Sequence, residues 1–300
     1  MFRRLLVTLD GTAQAAAALP VARSLAVATG AAVSLLRVIP PTLTSADPQR
    51  AAADQNLRHI ADELASAGLH ITASVREGDP VSEILDEVHS SAADGIVLAA
   101  RAHAGPGQPP LGHVPERVVA RSPVPVLTIR PGGRRVTHIE TLLVPMRGHP
   151  GSTMALGVAV KLARTVGARI VLLEVIGSVP TYVYEGGLLA GSIDPDWEQA
   201  SRDSAQTRLE SIASRLRATG VRAESQVRIG SMPGTLLDTA DELGADIIVL
   251  TSHAPEPPST AAVSSLASQI LRVARQPVLL VRHEVLQRTA VHQSVHAGVA

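Results

Sequence analysis

Residues 92–130, AADGIVLAARAHAGPGQPPLGHVPERVVARSPVPVLTIR, decide the fold. An apolar run, GIVLAA, leads into a loop rich in glycine and proline. A helical stretch over 114–121 follows, and then a second apolar run, VPVLTIR. Residues 244–282, GADIIVLTSHAPEPPSTAAVSSLASQILRVARQPVLLVR, repeat this plan without a gap, 152 positions downstream (from 92 to 244). Short apolar runs that alternate with helical periodicity indicate strands buried on both faces. They predict a parallel sheet with helices above and below it.

The repeat continues upstream. Residues 5–40 align with 142–177 at an offset of 137 (from 5 to 142), so that Leu19, Val21, Leu25 and Gly30 meet Leu156, Val158, Leu162 and Gly167. From Gly68 onward the offset is 152, which places a 15-residue insertion in the second copy between about Gly177 and Gln206. Repeats of this length mark duplicated domains, since solenoid units run to roughly 20–50 residues. The expected boundaries are 1–131 and 138–283, joined through a linker at 131–141 and followed by a tail at 284–300.

In the first copy, strands are expected at 5–9, 33–39, 71–78, 95–100 and 124–130, and helices at 12–29, 48–67, 80–92 and 114–121. Gly30 and Gly68 are placed to end helices. The third strand, ITASVREG, alternates polar with apolar residues, as a partly exposed strand does. Right-handed crossovers convert this order into an open, doubly wound α/β sheet of five mainly parallel strands in each domain.

Composition narrows the function classes. The 300 residues are 45% apolar but only 1% aromatic, so the cores must be built from Ala, Val, Leu and Ile. Lys+Arg and Asp+Glu are both 27, which argues against nucleic acid or an anionic membrane as partner. The absence of cysteine excludes disulfides, thiolate metal sites and cysteine nucleophiles, and fits a reducing cytoplasm. The N-terminal MFRRLLVTLDGT lacks the long apolar core of a signal peptide, and no run approaches the roughly 18 apolar residues of a membrane helix. A soluble, cytoplasmic protein is expected. Tyr182, Tyr184 and Trp197, three of the four aromatics, fall in the insertion 177–206, which suggests a contact with the other domain or a second subunit. His292 and His296 of the tail share a helical spacing but have no third ligand, so no metal site is expected. No Walker A, GxSxG or HExxH pattern occurs, and no catalytic residue is assigned.

The chain resembles the universal stress protein family in its tandem form. The resemblance spans nearly all of residues 3–283. It is carried by LLVTLDGT, VSLLRVIP, EGDPVSEILDEV, ADGIVLAA and GHVPERVVARSPVPVLTIR in the first half, and by LLVPMRGHPGS, IVLLEVI, GADIIVLTSHA and RQPVLLVR in the second. It implies a stress-response role and an adenine nucleotide, ATP or AMP, with Mg2+ only beside ATP. It also implies a pseudo-dimer formed through the closing strands, and a homodimer as a further possibility of assembly.

The family's nucleotide-binding members carry Gly-x2-Gly-x9-Gly-Ser/Thr after the fourth strand and an acidic residue after the first. Here the first half has Ala99, Ala102, Gly112 and His113 at those positions, with Asp10 as the acid. Thr8, Leu9, Val38, Arg101 and Val114 complete the implied first pocket. The second half has Thr251, Ala254, Ser264 and Ser265, with Arg147 in the acid's place. Pro145, Val175 and His253 complete a second, more altered pocket. Spacing survives in both copies, while the glycines are largely replaced.

Asp10 reads equally as a ligand group and as a turn or cap aspartate. Gly112–His113 reads as a phosphate cradle or as a helix start that needs glycine for its geometry. Glu174 and Arg37 are counterparts at the end of the second strand of each half, and no shared catalytic role follows from that. Two other readings stand beside nucleotide sensing: an interaction protein with remnant pockets, and a weak ATP-hydrolysing enzyme.

Overall fold

The computed structural model describes residues 2–41, 48–100, 112–146, 152–177, 197–252 and 265–282. The first half runs β1 (Arg4–Leu9), α1 (Ala13–Ala16), α2 (Ala18–Thr29), β2 (Ala32–Ile39), α3 (Pro48–Ala65), β3 (Ile71–Glu77), α4 (Pro80–Ser90), β4 (Gly95–Ala99), α5 (His113–Arg121) and β5 (Val126–Ile129). The second half runs β6 (Thr141–Pro145), α6 (Ser152–Val166), β7 (Arg169–Ile176), α7 (Trp197–Ala218), β8 (Ala223–Ile229), α8 (Gly234–Glu242), β9 (Ile247–Ser252), α9 (Ser265–Val273) and β10 (Val278–Arg282). The helix expected over 12–29 is broken at Ala17. Pro20 has no N–H to donate to Ala16, and its ring would crowd that carbonyl, so α2 restarts with the proline in its first turn.

The α/β class is as expected, but the ten strands among the described residues form one sheet rather than two separate ones. Their order is β3-β2-β1-β4-β5-β10-β9-β6-β7-β8. All neighbours are parallel except β5 and β10, which pair antiparallel at the centre. There Leu127 lies opposite Leu279, and these residues are equivalent in the repeat. A local two-fold therefore passes between them, and the same surface of each half meets itself. Thr128 Oγ1 donates to the Val278 carbonyl at 3.2 Å across this seam. An apolar edge that would otherwise invite aggregation is covered.

Strand alternation sorts the core into two layers. Leu5, Val7 and Leu9 of β1 face the layer of α2, α3, α6 and α7, whereas Leu6 faces the layer of α4, α5, α8 and α9. Ile170 and Leu172 of β7, against Val171 and Leu173, repeat the division. Both layers run through the seam, and α2 packs against α6 across it. The outermost strands, β3 and β8, are only half buried, which is the alternation their sequences carry.

The linker is part of the packing. Val136 and Ile139 are buried in the α2–α6 layer. Arg134 N donates to the Arg275 carbonyl at 2.6 Å, and that oxygen lies so near Gly133 that a Cβ there would stand 2.4 Å from it. Asp94 and Asp246 brace equivalent turns. Asp94 accepts from the backbone N–H groups of Arg3 and Arg4 at 2.8–3.0 Å, and Asp246 accepts from those of Glu140 and Thr141 at 2.8 and 3.0 Å.

Candidate functional site

In an open parallel sheet, a ligand finds side chains and helix N-termini together at the carboxyl ends of the strands. At that edge of the first half, β1 ends at Leu9 and gives way to Asp10 and Gly11. The Asp10 carboxylate accepts from Thr12 N at 2.9 Å and from Thr12 Oγ1 at 2.6 Å. Thr12 in turn caps α1 by accepting from Ala15 N at 3.1 Å. The turn-building reading of Asp10 is thus observed, and its carboxylate remains exposed.

Above this turn lies Arg37. Strand register sets Arg37 opposite Leu9, and its guanidinium covers the Gly11 Cα so closely that a Cβ on Gly11 would meet it at 2.6–2.8 Å. Gly11 also has φ +84°, so glycine is required twice over. The Arg37 side chain is half buried and makes no hydrogen bond or ion pair to another described residue. Val38, next along β2, turns to the opposite layer. The sequence pattern marked Val38 and passed over Arg37, because the contact depends on register between strands.

Ala99 closes β4 opposite Ile129. The α5 helix begins at Gly112, which has φ +85° and no side-chain cap. The backbone N–H groups of His113 and Val114 therefore open its first turn, while Pro115 contributes none. His113 and Val114 are the first two residues of α5. Thr8 is half buried within β1 and Leu9 is buried in the core. Arg101 and Ala102 lie outside the described residues. The structure therefore brings Asp10 and Gly112–Val114 to one edge and adds Arg37.

The second half has the same frame and different chemistry. Pro145 ends β6, and Met146 N donates to the Leu173 carbonyl at 2.7 Å. Glu174 replaces Arg37. Its Oε1 accepts from Arg208 of α7 at 2.5 Å, while its Oε2 is buried with no hydrogen-bond partner among the described residues. A cavity of about 490 Å³ opens here, lined by Glu174, Ser201, Ser204 and Arg208 among others. Val175 turns towards the other layer, Thr251 is half buried in β9, and Ser265 is the first residue of α9. Arg147, His253 and Ser264 lie outside the described residues, as do Tyr182, Tyr184, His292 and His296. Trp197 is the first residue of α7 and is 40% exposed.

Residues 1–130 and 138–282 match the family model described as the universal stress protein family. The chain belongs to that family. Universal stress protein G of Shigella flexneri is 36% identical over 86 residues, which cover 29% of this chain and 60% of that protein. The Salmonella typhimurium protein of the same name is 33% identical over the same length. The chain thus spans about 60% of the length of these curated relatives. A universal stress protein from Archaeoglobus fulgidus DSM 4304 superposes with a TM-score of 0.70 at 19% identity, over 93% of this chain and 98% of its own. A functionally unknown protein of Pseudomonas aeruginosa PAO1 superposes at 0.69 with 16% identity, over 96% and 95%. At such identities the likeness shows the tandem fold of a universal stress protein, with both copies in one chain. Among the described residues no helix is long and apolar enough to cross a membrane, and no three His, Cys, Asp or Glu side chains are grouped to hold a metal ion.

Proposed function

We propose that this tandem universal stress protein acts in stress response as an adenine-nucleotide sensor or regulator, with ATP or AMP held in the first half. The observation that carries this reading is Arg37: a half-buried guanidinium with no hydrogen-bond or ion-pair partner among the described residues, lying on the Asp10–Gly11 turn. An unpaired fork of this kind suits a phosphate or carboxylate. The uncapped start of α5 supplies backbone donors for an anion at the same edge. Asp10, already shaped by Thr12, offers an exposed acceptor to a ribose hydroxyl. These groups fit a nucleotide. Mg2+ would accompany a triphosphate only.

The second half does not fit in the same way. Glu174 puts negative charge where Arg37 puts positive. We read that half as the structural partner of the first. No step of bond making or breaking is assigned to either half, so the chain is read as a binding protein rather than an enzyme. The test is titration calorimetry of the full chain with ATP and AMP, beside Asp10→Ala and Gly112→Val. Saturable binding that both substitutions weaken supports the reading. No heat at about millimolar nucleotide, a binding energy near −4 kcal/mol, would leave an interaction protein as the answer. Turnover of ATP, lost in Asp10→Ala, would replace it with an enzyme.

A further inference from the structure

A second concavity lies at the seam, away from the strand ends. It has a volume of about 590 Å³ and is walled by α2, the linker and the end of α6. That volume lies within the usual range of small-molecule pockets, roughly 300–1,000 Å³. Its apolar wall includes Val27, Ala28 and Val166. Val27 is 60% exposed, one of two exposed large apolar side chains among the described residues, and it borders this cavity. An exposed valine on a concave wall differs from one scattered on a convex surface, because a bound molecule can cover it.

The polar lining is equally uneven. Arg23, His138 and Glu140 all border the cavity, and none has a side-chain hydrogen bond or ion pair with another described residue. A guanidinium, an imidazole and a carboxylate that form no ion pair with one another, set around an apolar wall, suit a molecule with both charges and an apolar body.

We propose that the seam cavity binds a zwitterion of about dipeptide size with aliphatic side chains. Its carboxylate meets Arg23 and His138, its ammonium meets Glu140, and its side chains cover Val27, Ala28 and Val166. The cavity exists only because the two halves and the linker meet, so occupancy reports on the seam. This site is separate from the nucleotide edge and does not rest on it.

The test uses the full chain and L-leucyl-L-leucine as probe, with its N-acetyl and C-amide forms as controls, followed by calorimetry or protein NMR. Arg23, Ala28 and Glu140 are exposed, so substitutions there leave the core untouched; thermal melts confirm folding. Saturable binding is expected, weakened about tenfold by Arg23→Gln and by Glu140→Gln, and abolished when Ala28→Phe fills the cavity. The N-acetyl probe should bind about tenfold more weakly than leucyl-leucine and should be insensitive to Glu140→Gln, as a shared pair requires. The C-amide should behave likewise towards Arg23→Gln. Absence of saturation at about 10 mM probe, a limit of roughly −3 kcal/mol, overturns the proposal. So does binding unchanged in Ala28→Phe, or blocked probes that bind as well as the free one.

Discussion

Arg37 and Glu174 occupy one position in the two halves and carry opposite charge. Arg37 stands opposite Leu9, and Glu174 follows Leu173, which stands opposite Pro145. Arg37 lies over a glycine with no partner among the described residues, whereas Glu174 is held by Arg208. Duplication thus kept the strand and inverted the electrostatics of its end.

From this follows a charge-specific loss. Arg37→Gln is expected to weaken ATP binding about tenfold or more, in line with roughly 1.5–3 kcal/mol for a hydrogen bond to a charged group. Adenosine, which has no phosphate, should be unaffected, and Glu174→Gln should leave ATP binding in the first half unchanged. Calorimetry with both ligands decides it. Equal losses for ATP and adenosine would show that Arg37 only shapes the turn.

Asp94 and Asp246 should prove structural in both copies. Each carboxylate accepts two backbone N–H groups of the chain leading into β1 or β6. Replacement with alanine strips both acceptors, and a cost of about 2–3 kcal/mol is expected from each site. Asp246→Ala should be the costlier, because Asp246 is buried and also holds Arg134 at 3.3 Å. Urea unfolding of the two variants checks the order. A loss of ligand binding without a loss of stability would contradict it.

Ala92 is the one described non-glycine residue with positive φ, at +53°. Its counterpart is Gly244, at +59°. Both follow a helix whose end is closed by the same pattern, Ala93 N to the Val88 carbonyl at 3.0 Å and Ala245 N to the Ala240 carbonyl at 2.8 Å. The left-handed region costs a residue with a Cβ roughly 1–2 kcal/mol. Ala92→Gly is therefore expected to raise stability by about 1 kcal/mol, less the entropy that glycine adds to the unfolded chain. A fall in melting temperature would show that the strain is relieved elsewhere.

The sequence made the scaffold legible and the site only partly so. A long repeat with alternating strand and helix periodicity reports that the two halves share one α/β architecture, because each must bury the same faces; that their strands join in one sheet was not legible. The meeting of the closing strands at the seam was implied by the family resemblance, and the need to cover apolar edge strands agrees with it. The break at Ala17 was also written in the chain, at Pro20, but helical spacing across 12–29 concealed it. What no local pattern carries is contact through register. Arg37 reaches Gly11 only because β1 and β2 align as they do, and Gly133 is crowded by a carbonyl from Arg275 of the other half. The residues copied from the family motif were placed by spacing, and several of them fall outside the described residues.

Acid should weaken the first half through Asp79. Hydrogen bonds from the Ser82 backbone N–H and hydroxyl, together with the Arg117 guanidinium, hold the Asp79 carboxyl below its ordinary value. A carboxyl with a lowered folded-state pKa adds stability above its unfolded pKa. That contribution is lost as pH falls through the folded one. Asp79→Asn keeps a good cap for α4 and removes only the charge. The variant should therefore melt below the parent at neutral pH, and the gap should close on acidification below the ordinary carboxylate range. A gap that is constant with pH would assign Asp79 to capping alone.

The seam should make the two halves unfold together. Leu127 and Leu279 face one another across the antiparallel β5–β10 pair, each 2% exposed, and both core layers continue past them. A single urea transition is expected for the parent chain. Leu127→Ala removes a buried side chain from the centre of the sheet, at a cost of roughly 2–5 kcal/mol. Leu279→Ala should cost a similar amount. Because the residues share one site, the double variant should depart from the sum of the two single changes by roughly 0.5–3 kcal/mol. Two separate transitions in the parent, with Leu127→Ala shifting one and Leu279→Ala the other, would mean that each half folds by itself and that the seam contributes little to cooperativity.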